Sequence, residues 1–102
     1  MKIPVYNPNR FTLNKAERDK KYYRNTCSGF GTKAKPYVLE RDGEICVRCG
    51  STENLQIDHI ISACYGFYKK IDLYVINNVD NLRILCKTCN ATLQPMDIVY
   101  FE

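Results

Sequence analysis

Two Cys-x2-Cys pairs, Cys46-Val47-Arg48-Cys49 and Cys86-Lys87-Thr88-Cys89, constrain this chain more than any other feature. Their spacing is that of metal-ligand knuckles. Four thiolates complete a tetrahedral zinc ion and leave no open coordination position, which makes the ion structural. It ties together two points separated by 36 residues. A chain of 102 residues forms one small domain with a thin core, and a metal clip adds what burial alone supplies poorly. The paired spacing favours a metal in a reducing compartment over a disulfide framework. The remaining cysteines, Cys27 and Cys64, read as small apolar residues for the interior.

Charge is distributed unevenly. Residues 1–35 carry nine Lys or Arg against Glu17 and Asp19, whereas residues 36–102 carry six against nine acids. A basic N-terminal arm on an acidic, thiolate-rich body suits a polyanion gripped at one end and processed at the other. The division expected is an arm at 1–35 and a body at 36–102. The chain opens on no long apolar run, and no stretch is long enough to span a bilayer, so no membrane partner is expected.

Along the chain, residues 1–13 read as an extended lead-in. Asn14 and Glu17 form an imperfect capping box for a basic helix at about 15–24, and Gly29 and Gly31 mark residues 25–33 as flexible. A short helix is predicted at about 34–41, ended by the turn signal Asp42-Gly43. Leu55-Gln56-Ile57 and Leu82-Arg83-Ile84-Leu85 read as two short antiparallel strands. Residues 61–78, rich in Tyr and Ile, make a long connection that is functional or packed by its own side chains. A final short helix is predicted from Lys87 to Leu93, with Pro95 ending it.

The first strand delivers Asp58 and His59, the latter the only histidine in the chain. His59 suits a general base, since an imidazole near its ordinary pKa is partly neutral at physiological pH. Asp58 suits a hard cation such as Mg2+, and the Asn90 carbonyl is a neutral oxygen ligand for the same ion. Neighbours on a regular strand point to opposite faces. Asp58 and His59 therefore need not touch, but both can border a phosphate if the strand ends there. Asn81, where the second strand begins, can hold the His59 segment or its ring through amide hydrogen bonds.

Taken together, Tyr37 to Asp42-Gly43, Cys46-x2-Cys49-Gly50, Ile57-Asp58-His59-Ile60, Asn81-Leu82-Arg83-Ile84-Leu85 and Cys86-x2-Cys89-Asn90 resemble the HNH endonucleases of the His-Me finger, or ββα-metal, superfamily. The resemblance covers a little over half the chain, from Tyr37 to about Leu93. It implies a small α+β fold: a ββα-metal core with a structural four-cysteine zinc site and a basic, partly helical N-terminal arm. It implies that His59 is the general base, that Asn81 orients the base or steadies its loop, and that Asp58 and Asn90 bind one divalent ion. Many family members place histidine at the position of Asn90, so the chain is similar to the HNN variant, with Mg2+ or Mn2+ as the catalytic ion and Zn2+ only at Cys46, Cys49, Cys86 and Cys89.

The activity so implied is metal-dependent hydrolysis of DNA phosphodiester bonds, by nicking or double-strand cleavage, leaving 5′-phosphate and 3′-hydroxyl ends. The expected partner is double-stranded DNA, with Lys15 to Arg24 providing salt-sensitive grip, and a homodimer would permit double-strand breaks. The setting expected is the cytoplasm, in a bacterial or phage context. The competing reading is a zinc ribbon that binds nucleic acid without cutting it. A third is an interaction module that uses Tyr65-Gly66-Phe67-Tyr68 as its contact.

Overall fold

The computed structural model describes residues 2–7 and 10–92, with backbone alone at 10–13. Leu93 and Pro95, where the last helix is expected to end, lie outside the described residues. Helix α1 (Arg10–Arg18) leads almost at once into the long helix α2 (Lys20–Asp42). Strand β1 (Leu55–His59) follows, then α3 (Ala63–Tyr68), α4 (Leu73–Ile76), a single 3-10 turn (Val79–Asn81), β2 (Leu82–Cys86) and α5 (Lys87–Thr92). The result is a mixed α+β fold in which a two-stranded antiparallel sheet is contacted by α5 and by α2.

Helix α2 revises the expectation for the N-terminal third. Residues 25–33 are helical, not flexible, and the helix continues across 35 and 36, the expected boundary between arm and body. Its start is fixed by Asp19, whose extended backbone and side-chain oxygen cap the helix by accepting from the Lys21 N–H at 2.9 Å. Asn14, expected as a cap, instead sits inside α1, where its carbonyl accepts from Arg18 Nε. The glycines and Pro36 do not break α2 because one face is buried along its length. Tyr23, Cys27, Phe30, Gly31, Ala34 and Val38 recur at helical spacing and all belong to the core. Burying such side chains contributes roughly 1.5–3 kcal/mol each for the larger ones, enough to override about 3 kcal/mol for an interior proline. Gly43, at φ 91°, ends the helix, and its N–H bonds the Leu39 carbonyl.

The sheet register pairs Leu55 with Cys86, Ile57 with Ile84, Asp58 with Arg83 and His59 with Leu82. Leu82 and Ile84 are fully buried with Val38, Leu73 and Ile76, while Leu85 is buried in a second cluster with Cys46 and Cys86. The long connection at 61–78 is folded into α3 and α4, capped by Ser62 and Asp72. A side chain at Gly66 would sit 2.6 Å from Tyr23 Oη and 2.8 Å from Ile76 Cδ1, so glycine is what lets α3 close on α2 and α4. Tyr23 also donates to the Ile71 carbonyl at 2.8 Å, stitching the connection to α2. Cys27 is buried as expected, whereas Cys64 is exposed at the surface of α3.

Candidate metal centre and reactive cluster

Each knuckle is built by its own backbone. Gly50, at φ 81°, lets the first turn close with its N–H on the Cys46 carbonyl at 2.9 Å. The second starts α5, and the Cys89 N–H points at Cys86 Sγ at 3.4 Å. Bonds from Val47 N to the Ile84 carbonyl and from Lys87 N to the Asn54 carbonyl dock each knuckle on the strand beside the other. The sulphurs of Cys46, Cys49, Cys86 and Cys89 consequently lie within 4.8 Å of one another, with Cys49 and Cys86 at 3.6 Å. A tetrahedron of Zn–S bonds near 2.3 Å has edges of about 3.8 Å, so the four sulphurs fit zinc. Their electrostatics call for a cation. Burial opposes the Cys46 thiolate, but hydrogen bonds from the backbones of Cys86, Cys49 and Arg48 draw that thiol down to about 6. The sulphurs of Cys49 and Cys86 push Cys89 up to about 12. Four thiolates side by side need a positive ion between them.

The closed unit carries two groups of polar side chains on opposite faces of β1. On one face Asp58 stands opposite Arg83, which donates from Nε to Asp58 Oδ2 at 2.8 Å. Two residues earlier on the same face, Gln56 Oε1 accepts from Asn90 Nδ2 at 2.8 Å. On the other face His59 lies beside Ile57 against α2, where a side chain at Gly31 would meet His59 Cε1 at 3.3 Å. Nε2 of His59 is 3.1 Å from Oδ1 of Asn77. Desolvation lowers the His59 pKa below its ordinary value of 6.5, against the weaker upward pulls of the Asn77 hydrogen bond and the Asp58 charge.

The residues expected to act together are thus gathered in one unit, with a division between them. Asp58 and Asn90 share one face with Gln56, and His59 occupies the other. Because His59 is the last residue of β1, the two groups meet only around the strand end. Asn81 bonds the backbone and not the ring. Its carbonyl takes the Ile60 N–H at 2.7 Å, its side-chain oxygen takes the Ile61 N–H at 2.8 Å, and Nδ2 donates to the carbonyls of Ile61 and Ile76. Three of these bonds hold the turn immediately after His59, and the fourth ties Asn81 to the end of α4.

The oxygen donors that a hard divalent ion uses are present in type: one carboxylate at Asp58, and the Asn90 side-chain carbonyl oxygen that its bond to Gln56 does not use. Arg83 already occupies one carboxylate oxygen. Asn77 and Gln56 were not expected among the site residues, and Gly31 was expected only as a mark of flexibility. Asn77 falls at the end of α4 inside the long connection, and only its burial distinguishes it from an ordinary helix-ending asparagine. Gln56 carries a strand-alternation signal that places it on the face of Asp58.

Toward the N-terminus of α2, Lys20, Lys21, Arg24, Asn25 and Ser28 line an open surface groove. Tyr23 is buried and packs, whereas Tyr22 lies under Lys15, whose Nζ is 4.0 Å from the ring centroid. In Tyr65 to Tyr68, Gly66 is buried and Phe67 packs edge-on to Tyr23, so only part of that segment faces outward, chiefly Tyr68.

Two short antiparallel strands, a helix packed on them and four clustered cysteines are consistent with a ββα-metal-like arrangement. Over 58 residues the chain is 36% identical to a protein named a probable HNH endonuclease from Lactococcus phage SK1, a match covering 55% of this chain and 60% of that relative. The chain is therefore a distant relative of that phage protein over little more than half of either length. No family model matches the chain, and no solved structure matches it significantly. Among the described residues, no helix is long and apolar enough to cross a membrane.

Proposed function

We propose that this chain is a metal-dependent DNA endonuclease of the HNH type, hydrolysing phosphodiester bonds in double-stranded DNA to 5′-phosphate and 3′-hydroxyl ends. One observation carries the reading: the four-sulphur cluster clips α5 to the start of β1, where Cys86 pairs with Leu55 and Asn90 reaches Gln56, so that the strand carrying Asp58 and His59, the strand that follows Asn81 and the helix carrying Asn90 form one small closed unit. The likeness to the phage protein adds to it.

In this reading Asp58 and Asn90 hold Mg2+ or Mn2+, which supplies Lewis-acid stabilisation of charge on the phosphate and the departing 3′-oxygen. The scissile phosphate lies across the end of β1, where the two faces meet. His59 accepts a proton from the attacking water. Asn81 keeps the turn after His59 in place through its backbone bonds. Zinc at Cys46, Cys49, Cys86 and Cys89 holds the frame. The basic N-terminal third, about residues 1–35, grips the backbone through Lys20, Lys21 and Arg24, while residues 36–102 carry the chemistry. One copy would nick, and a homodimer would break both strands. The cytoplasm of a bacterial or phage-infected cell fits this activity.

A second reading is favoured by a specific contact. The ion pair of Arg83 with Asp58 neutralises the carboxylate without a metal, as suits a zinc ribbon that binds nucleic acid and does not cut it. Supercoiled plasmid incubated with the protein and Mg2+, Mn2+ or EDTA separates the two. Nicking with either ion and none in EDTA supports the nuclease, and binding without nicking under all three conditions rejects it.

A further inference from the structure

The seat of the His59 ring says which of its nitrogens is available. Asn77 is only 2% exposed, and its side-chain oxygen lies 3.1 Å from Nε2. The other end of the amide is buried: Nδ2 has no hydrogen-bond partner among the described residues. Beside Asn77 lies the buried Cys27 thiol, which burial pushes up and the Asn77 side chain draws down. Sulphur is a weak acceptor and has no strong claim on an N–H. That orientation of the amide nonetheless leaves only an acceptor oxygen for the imidazole. An acceptor facing a bare ring nitrogen would set two lone pairs against each other, so the proton of the neutral ring belongs on Nε2. Helix α2 approaches the ring at Cε1, the carbon between the two nitrogens, where a side chain at Gly31 would come within 3.3 Å, and the nitrogen that Asn77 does not engage is Nδ1.

Resting on the nuclease reading, we propose that Asn77 is the positioning residue of His59, holding it as the Nε2–H tautomer so that Nδ1 takes the proton from water. In that step one O–H bond of water breaks and its electron pair stays on oxygen. The proton joins the lone pair of Nδ1, and the ring becomes an imidazolium. The same Asn77 oxygen then accepts from the charged ring, a stronger bond than before. The seat thus serves the ring before and after proton transfer without moving.

The test uses the full zinc-loaded chain, and a single histidine makes it unambiguous. Long-range 15N–1H correlation spectra of labelled wild type should show a pyrrole-like Nε2 bearing a proton protected from exchange, and a pyridine-like Nδ1. Asn77→Leu, checked for melting temperature and zinc content, should lose that protected proton and cut plasmid about 10–100-fold more slowly, with KM unchanged. Asn77→Asp, which keeps an acceptor, should restore the protected Nε2–H. A wild-type proton on Nδ1, or a folded Leu variant that retains the protected Nε2–H, overturns the proposal. If the Leu variant does not fold, the wild-type spectrum decides. The expected spectrum in a chain that cuts no plasmid would overturn the nuclease reading and leave the tautomer assignment standing.

Discussion

Asp58 and Arg83 face each other across the two-stranded ladder, and the guanidinium Nε donates to the carboxylate at 2.8 Å. Both side chains keep some contact with solvent, 15% and 28% exposed respectively, so the pair contributes at most about 1 kcal/mol to the fold. Its larger effect is on whatever else seeks that carboxylate. Arg83→Met should tighten Mn2+ binding to the zinc-loaded protein about fivefold, the equivalent of about 1 kcal/mol. Titration calorimetry measures it, and an unchanged or weaker affinity would mean that Arg83 does not compete for Asp58.

Zinc removal should unfold the domain. Binding at a structural four-ligand site contributes roughly 10–16 kcal/mol in small zinc peptides, comparable to or larger than the whole stability of a domain of this size. Chelation followed by circular dichroism should show loss of helix and of the melting transition, reversed by added zinc. A chelated protein with an unaltered spectrum and melting curve would contradict it.

His59→Ala should lower metal-dependent cleavage by at least about a hundredfold, the usual effect of losing a general base, while zinc content stays at one ion per chain. Wild-type-like nicking by this variant would remove His59 from the chemistry.

The environment of His59 also predicts a pH dependence of stability. Burial lowers its pKa in the folded protein below 6.5, so as pH falls below that value the unfolded chain takes up the proton first. The contribution of the neutral ring is complete above 6.5 and is lost as pH falls through the lowered folded value. Urea midpoints measured between pH 7.5 and 5 should fall more steeply for wild type than for His59→Gln. Parallel profiles would show that the ring is not desolvated.

Replacing Lys21 and Arg24 by Gln should weaken DNA binding and reduce the slope of log K against log salt by up to about 0.9 for each phosphate that the variant no longer neutralises. Lys20 is the less clean choice because its Nζ also bonds Tyr68 at 3.3 Å. An identical slope in the double variant would exclude this surface from binding.

The strands and knuckles were legible in sequence because each rests on local signals. Leu55-Gln56-Ile57 alternates, Cys-x2-Cys fixes a turn, and Gly50 occupies the left-handed conformation that turn needs. Helix α2 was legible only at its C-terminal end, in Asp42-Gly43, and its true cap, Asp19, was expected inside a helix that Asn14 would start. Its middle contains Gly29, Gly31 and Pro36, which argue locally for a break, and it is helical because Phe30, Ala34 and Val38 find Leu82 and Ile84 in the same core. That is tertiary packing overriding propensity. The placement of His59 and Asp58 on opposite faces follows from strand alternation, but the partners of each were not legible. Asn77 reaches His59 across 18 positions and Asn90 reaches Gln56 across 34, distances at which no local pattern speaks.

The continuity of α2 has a mechanical consequence. Arg24 and Gly31, the second of which leaves the space beside the histidine ring that a side chain would fill, are fixed points on one rod. At 1.5 Å per residue they are about 10 Å apart along the axis, close to the rise of about three base pairs of B-form duplex. In the proposed nuclease, a duplex held at one point could not slide relative to the other, and the helix would act as a ruler that sets the offset between anchorage and scission.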